Sequence, residues 1–231
     1  MTPAIRRSAG SLLLQCAQKT PDLADLVAKA GAPTALKKFF TLEKESKQGM
    51  LTGIMIAGTL ASFKAVVARL VVDSGAAQPV IDSIGHEDLD ITGAAAWAIE
   101  QMAQHGELIT GALIEQGALT QLVDVQPRVA AQRKSLELQR KVKQATKAVI
   151  RAAATSESLE PFVDASTPPN ILKHLLRKLE VLLARSPKGR QSFVTSGALQ
   201  RLQTLKQTKV LDSMTAINSF FPEDVVKYYT E

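Results

Sequence analysis

Four segments of this 231-residue chain share one pattern: an apolar stretch, a glycine, and a second apolar stretch. They read LVAKAGAPTAL, LVVDSGAAQPV, ALIEQGALTQL and FVTSGALQRL, with glycines at Gly31, Gly75, Gly117 and Gly197. The intervals are 44, 42 and 80 residues, and the last is two steps of 40. A degenerate copy is therefore expected near Glu157, where SLEPFV stands in for the missing text. Self-similarity of this kind narrows the fold sharply, because a single repeat cannot bury its apolar face alone and must stack on its neighbours.

A period of ~40–47 residues is the armadillo or HEAT range, longer than the ~34 of tetratricopeptide arrays. Lys64 to Ser74 reads as a first helix closed by Gly75, since glycine accepts the left-handed conformation that ends a helix. A second helix runs to about Ile84, and a third from Asp88 to the His-Gly stop at 105–106. His105 falls where the helix dipole favours a cation. A short helix, a glycine corner and two further helices make an armadillo unit; HEAT repeats, with two helices each, are the alternative. Strand alternation and Asn-Gly hairpins are absent, so the expected class is all-α, an armadillo-repeat right-handed superhelical solenoid of three-helix repeats.

The expected organisation is an orphan third helix at 1–20, repeats at 21–64 and 65–106, a repeat with a lengthened loop at 107–156, a degenerate repeat lacking its first helix at 157–187, and a C-terminal repeat and cap at 188–231. The third helices fall at about 3–20, 46–63, 88–105, 133–154, 168–186 and 211–220. STPPN at 166–170 marks a sharp helix start, because proline fits the first turn and disfavours helix before it. Leu12, Leu13 and Leu14 cannot all face one neighbour, and a terminal repeat ordinarily carries a polar cap. The chain is thus expected to be part of a longer array, with an N-terminal face that self-associates. Phe220 and Phe221 are expected to bury against the fifth repeat, with Tyr228 and Tyr229 capping it or leading into a tail.

The third-helix column is where armadillo proteins hold extended chains. Importin-type members clamp basic peptides there with a Trp and an Asn four residues apart. This chain has AAWAIEQ, with Trp97 and Gln101, the glutamine replacing that asparagine. Trp97, the only tryptophan, is either core filler or the floor of a groove. The same register assigns Ser11 and Gln15, Met55 and Thr59, Lys147 and Arg151, and Arg177 and Val181, so no asparagine ladder exists. Lys143, Lys147 and Arg151 form one stripe of a helix whose other side is apolar through Val142, Ala145, Val149 and Ala152. Lys173 and Arg177 take matching places on the next helix. Either these stripes are solvated helix faces, or the five cations converge on a concave patch that attracts acidic segments.

Chemistry motifs are lacking. No phosphate-cradling glycine loop occurs, and His86, His105 and His174 lie in separate repeats without ligand spacing. Cys16 sits among apolar helix residues and reads as a small core hydrophobe, and one cysteine suits a reducing compartment. No catalytic, cofactor or metal site is expected, and the chain is read as non-enzymatic. The longest uncharged run, Gln48–Phe63, is shorter than the ~20 residues of a spanning helix, so no membrane segment is expected. No leader is visible, and the chain reads as cytosolic or nuclear in type. The net charge of +6 with 4% aromatic residues favours acidic partners but supplies few rings to stack on bases.

Three segments carry a more specific resemblance: EPFVDASTPPNILKHLL, RQSFVTSGALQRLQ and AINSFFPEDVVKYY. Together with AAAWAIEQMAQH they resemble the C-terminal half of the sperm-associated antigen 6 family, armadillo-repeat proteins of the ciliary and flagellar central apparatus. That resemblance implies a non-enzymatic scaffold on the central-pair microtubules, located in the axonemal cytoskeleton and needed for motility. Its partners would be central-pair proteins, with acidic tubulin tails as candidates for the cationic patch. The family extends beyond both ends of this sequence. The alternatives are an importin-like cargo adaptor, which needs an acidic groove and an asparagine ladder, and a nucleic-acid-binding helical-repeat protein.

Overall fold

The computed structural model describes residues 2–132, 135–205 and 210–229, and no strand occurs among them. The expected helix start at 133–134 lies outside the described residues. Two compact units are present, residues 1–149 and 150–231.

The first unit holds α1 (Pro3–Lys19), α2 (Pro21–Lys29), α3 (Ala32–Glu43), α4 (Lys47–Phe63), α5 (Ala65–Asp73), α6 (Ala77–Asp82), α7 (Leu89–Ala103), α8 (Glu107–Glu115), α9 (Ala118–Asp124) and α10 (Gln126–Ala131), and most of α11 (Leu136–Ala152). Local chemistry sets these boundaries. Thr20 ends α1 and caps α2 by accepting the Leu23 N–H, and the Ser46 hydroxyl does the same for Gly49 at the start of α4. The glycines of the repeat pattern turn each corner between a short helix and the next. Gly31, Gly75 and Gly117 have φ of 94°, 77° and 89°, a region costing any residue with a Cβ roughly 1–2 kcal/mol.

Helix α4 packs against α1, α3, α5 and α7. Enclosure on all sides explains the uncharged run read from its sequence: it is a core helix, and Ile54, Ile56, Ala57, Leu60 and Ala61 are buried. Glycines set its packing distances. A Cβ on Gly53 would lie 2.7 Å from the Phe40 ring of α3, and one on Gly58 only 2.4 Å from Cζ3 of Trp97 in α7. Helix α1 is tied to α3 by charge, since Arg6 and Arg7 both reach the buried carboxylate of Glu43, at 2.8 and 3.4 Å. His105, past the end of α7, meets the carbonyl of Ala61, one of the last four of α4 that have no partner within their own helix. Cys16 is half-buried rather than a full core residue.

The second unit contains the last residues of α11, a single 3-10 turn at Glu160–Phe162, then α12 (Pro169–Arg185), α13 (Pro187–Thr195), α14 (Ala198–Gln203), α15 (Leu211–Asn218) and α16 (Glu223–Tyr228). Its core is built on α12, whose Leu172, Leu175, Leu176, Leu179 and Leu183 are fully buried. The segment between α11 and α12 retains only the 3-10 turn, so the second helix is reduced as well as the first being absent. Pro161 and Pro168 account for this, since each lacks an N–H and disfavours helix at the residue before it. Arg201 of α14 covers the gap, donating to the carbonyls of Val163 (3.1 Å), Glu160 (3.0 Å) and Ser196 (3.1 Å). Gly197 turns the corner into α14 with φ 73°. Phe221 is half-buried and stacks on buried Phe193 at 6.0 Å between centroids, while Phe220 is also only half-buried. Tyr228 is exposed and meets the ring of Tyr229 edge-on.

Candidate peptide-binding groove

A cavity of ≈580 Å³ opens along the third-position helices of the first unit. Its walls are Met55 of α4, Leu89, Asp90, Gly93, Ala94 and Trp97 of α7, and Ser135, Glu137, Leu138 and Lys141 at the start of α11. The sequence places these side chains together through small residues. Ala98 and Gly58 let α7 lie close to α4, and the six-membered ring of Trp97 lies over Gly58. With its inner edge fixed there, Trp97 stays half-buried and turns its remaining surface to the cavity. It is therefore neither a core residue nor a free surface side chain but part of the floor. Gly93, four residues earlier on the same face, leaves room for Leu138, whose Cδ1 would be 3.3 Å from a Cβ placed there, and for Lys141.

The charges around the cavity are mostly spoken for. Lys47 bridges the carboxylates of Asp88 and Asp90 at 2.7 and 2.6 Å, joining the starts of α4 and α7. Its hydrogen bond holds the Asp88 carboxyl below the usual carboxylate range, and the two aspartates raise Lys47 in turn. Glu137 is gripped by Arg140 at 2.6 Å, and that hydrogen bond lowers its carboxyl too. Glu100, one turn from Trp97, is pushed upward by burial, against the pull of Arg140. Among the described residues Lys141, Lys143 and Lys147 form no ion pair; Lys141 lines the cavity and helps to lower the Glu137 carboxyl, while Lys143 and Lys147 lie on another face of α11.

The site residues expected from sequence divide. Met55 and Trp97 line the cavity together. Thr59 is 5% exposed and cannot present its side chain there, and Gln101 is half-buried outside the lining. Lys143 is exposed and Lys147 half-buried on α11, opposite the buried Val142, Ala145 and Val149. Arg151, Lys173 and Arg177 belong to the second unit, where all three are exposed, and the Arg151 carbonyl accepts from Lys178 of α12. Sequence reasoning missed Gly93, Leu138 and Lys141. The available signal was Gly93 itself, since a glycine inside a helical pattern costs ~1 kcal/mol and usually marks close packing. Among the described residues no group of three His, Cys, Asp or Glu side chains could hold a metal, and no helix is long and apolar enough to cross a membrane.

No family model matches the sequence. Two curated relatives do: sperm-associated antigen 6 of Homo sapiens, 34% identical over 143 residues, and that of Mus musculus, 33% identical over the same length. Each match takes in 61% of this chain and 27% of the relative, so the chain spans about a quarter of the length of the curated relatives it matches. The sequence relationship to sperm-associated antigen 6 is thus present across most of the chain. Among solved structures, a designed armadillo repeat protein superposes with a TM-score of 0.58 at 20% identity, over 94% of this chain and 93% of that one. A second, solved in complex with a (KR)4 peptide, gives a TM-score of 0.55 at 22% identity, over 93% and 92%. The fold is the all-α armadillo solenoid.

Proposed function

We propose that the chain is a non-enzymatic protein–protein interaction scaffold of the axonemal central apparatus in flagella and cilia, needed for motility. Its ligands are extended, acidic polypeptide segments, with tubulin tails and central-pair proteins as the partners in view. The relationship to sperm-associated antigen 6 supports the setting, and the armadillo fold supports the mode of binding, along the third-position helices. One observation carries the ligand chemistry. Beside the apolar floor of Met55 and Trp97, the neighbouring carboxylates Asp90 and Glu137 are already paired, while Lys141 of the lining forms no ion pair and Lys143 and Lys147 stand unpaired on another face of the same helix. An incoming carboxylate meets unpaired cations, whereas an incoming lysine must compete with Lys47 and Arg140 for the acids. Arg151, Lys173 and Arg177 supply a separate set of exposed cations in the second unit. A cytoskeletal, axonemal location follows from this reading.

The test is fluorescence anisotropy with acidic tubulin-tail peptides in moderate salt. Reversing Lys141, Lys143 and Lys147 to Glu should weaken binding by about tenfold or more, the loss of opposed charge contacts. Unchanged affinity removes these cations from the mechanism. Tagged full-length protein should localise to axonemes; a nuclear signal instead would overturn the setting while leaving the groove chemistry standing.

A further inference from the structure

Lys47 stands where the chemistry of its own helix disfavours it. It is the first residue of α4, beside the partial positive charge of that helix's N-terminus, and no acid in the first turn of α4 offsets it. The other third-position helices open on uncharged residues, Pro3, Leu89, Leu136, Pro169 and Leu211. What holds Lys47 is the following repeat. Its ammonium reaches the carboxylate of Asp88 at 2.7 Å and that of Asp90 at 2.6 Å.

The two aspartates have no matching need of Lys47. Asp88 caps α7, its Oδ1 accepting the Asp90 N–H at 2.9 Å, and both carboxylates lie at a helix N-terminus whose dipole already favours anions. Without Lys47 both anions stay in place at an intact helix start. One of them bears on a ligand. Asp90, with a side chain 72% exposed, forms part of the cavity wall with Met55 and Trp97, whereas Asp88 is 28% exposed and committed to the cap. Arg140 and Glu137 differ in kind, since they are three residues apart on one helix and pair as ordinary helix neighbours. Lys47 instead crosses from one repeat to the next.

We propose that Lys47 determines the specificity of the Trp97 groove by filling, from within the chain, the place that a lysine or arginine of a basic polypeptide would take beside Asp88 and Asp90. The inference rests on the groove being a site for extended polypeptides. The two short contacts are charge-assisted hydrogen bonds from one ammonium to two carboxylates, which is the arrangement an incoming lysine would make. A basic chain laid over the Trp97 floor therefore meets a like charge at this point, and a repulsive element of that kind rejects a wrong partner. With Lys47 gone, the same chain finds the Asp90 carboxylate free on the wall.

The experiment follows a fluorescein-labelled peptide of alternating lysine and arginine by anisotropy, with the full chain at neutral pH in moderate salt. Lys47→Gln should bind it about fivefold or more tighter than the parent, the gain from one or two newly available exposed charge pairs. Lys47→Arg keeps the cation and should behave as the parent. Adding Asp90→Asn to Lys47→Gln should cancel the gain, which assigns it to the freed carboxylate; Asp88 is left intact because it caps α7. Lys44→Gln removes the same charge from an exposed residue that lines no part of the groove, and should change nothing. Equal binding of the peptide by the parent and Lys47→Gln overturns the proposal. So does an equal gain from Lys44→Gln, which reduces the effect to net charge. Acidic peptides are measured alongside: if neither protein binds them, the acidic-ligand reading fails, while the basic peptide still decides the role of Lys47.

Discussion

The seat of Trp97 over Gly58 sets the sharpest expectation. Replacing Gly58 with alanine acts in two opposed ways. Alanine is the better helix former, and in the interior of α4 that alone stabilises by about 0.8–1.0 kcal/mol. The added methyl, however, would stand 2.4 Å from Cζ3 and 3.0 Å from Cε3 of Trp97, and 3.0 Å from the Ala98 methyl. Neither the ring, held on its inner side, nor the Ala98 backbone can yield freely, and overpacking of this kind costs typically 1–3 kcal/mol. The expected net effect is a destabilisation of about 1 kcal/mol, a fall of roughly 2–4 °C in melting temperature for a unit of this size. The decisive measurement is the same substitution in a Trp97→Leu background, followed by far-UV circular dichroism. With the six-membered ring gone, most of the collision disappears and the helix preference dominates, so Gly58→Ala should now stabilise by up to about 1 kcal/mol and raise the midpoint. The coupling between the two sites is then about 2 kcal/mol, within the range for residues in contact. A Gly58→Ala protein more stable than the parent, or the same shift in both backgrounds, would falsify the placement of the ring and with it the groove floor.

Other expectations are simpler. Arg201→Ala removes three hydrogen bonds from a charged donor, two of them to carbonyls left by the missing helices and one to Ser196 at the end of α13, and should destabilise the second unit by about 2–3 kcal/mol in thermal melts. A change within about 0.5 kcal/mol, the range of an ordinary surface substitution, would remove that role. The bridge from Lys47 to Asp88 should be pH-dependent. Asp88 is lowered in the folded state, so its contribution is present above its unfolded value near pH ~4 and is lost as pH falls through the lower folded one. The difference in melting temperature between the parent and Lys47→Gln should therefore shrink between pH 6 and strong acid; a constant difference would discard the bridge as a source of stability. Gly117→Ala meets nothing within 4 Å, so its cost should be backbone strain alone, about 1 kcal/mol in the same melts.

The fold class was legible because its signals are local. A corner with positive φ needs glycine, and four such corners recur in the sequence at intervals of 44, 42 and 80 residues, the last two steps of 40. Helix starts were legible for the same reason, through Asp88 and the prolines of STPPN. The reduced segment after α11 was legible only in part. The loss of a first helix shows as a missing stretch of sequence, but the shrinkage of the second depends on Arg201, some 40 residues away, satisfying carbonyls that a helix would have satisfied itself. No local pattern announces that substitution.

The groove shows where repeat logic stops. A register carried from one third helix to the next assumes identical packing at each step, and Met55 and Trp97, which it pairs, line one cavity. Thr59, which it also assigns, is buried, because the face of α4 four residues on from Met55 turns inward among the neighbouring helices. On α11 it singled out Lys143 and Lys147, whereas the residues that close the cavity are Leu138 and Lys141, brought there by contact with Gly93. That contact depends on where α11 begins after the lengthened loop, which the repeat pattern does not encode. The charge around the cavity has the same origin. Counting acids and bases along α7 and α11 gives a mixed surface, but Lys47 lies 41 residues before Asp88 and neutralises the aspartates from the preceding repeat. On the proposed reading, the selectivity of the groove would be a property of the seams between repeats, where pairing decides which charges remain for a ligand. A helical-repeat protein of this kind can change its ligand by moving one lysine across a seam, without altering any residue on the floor.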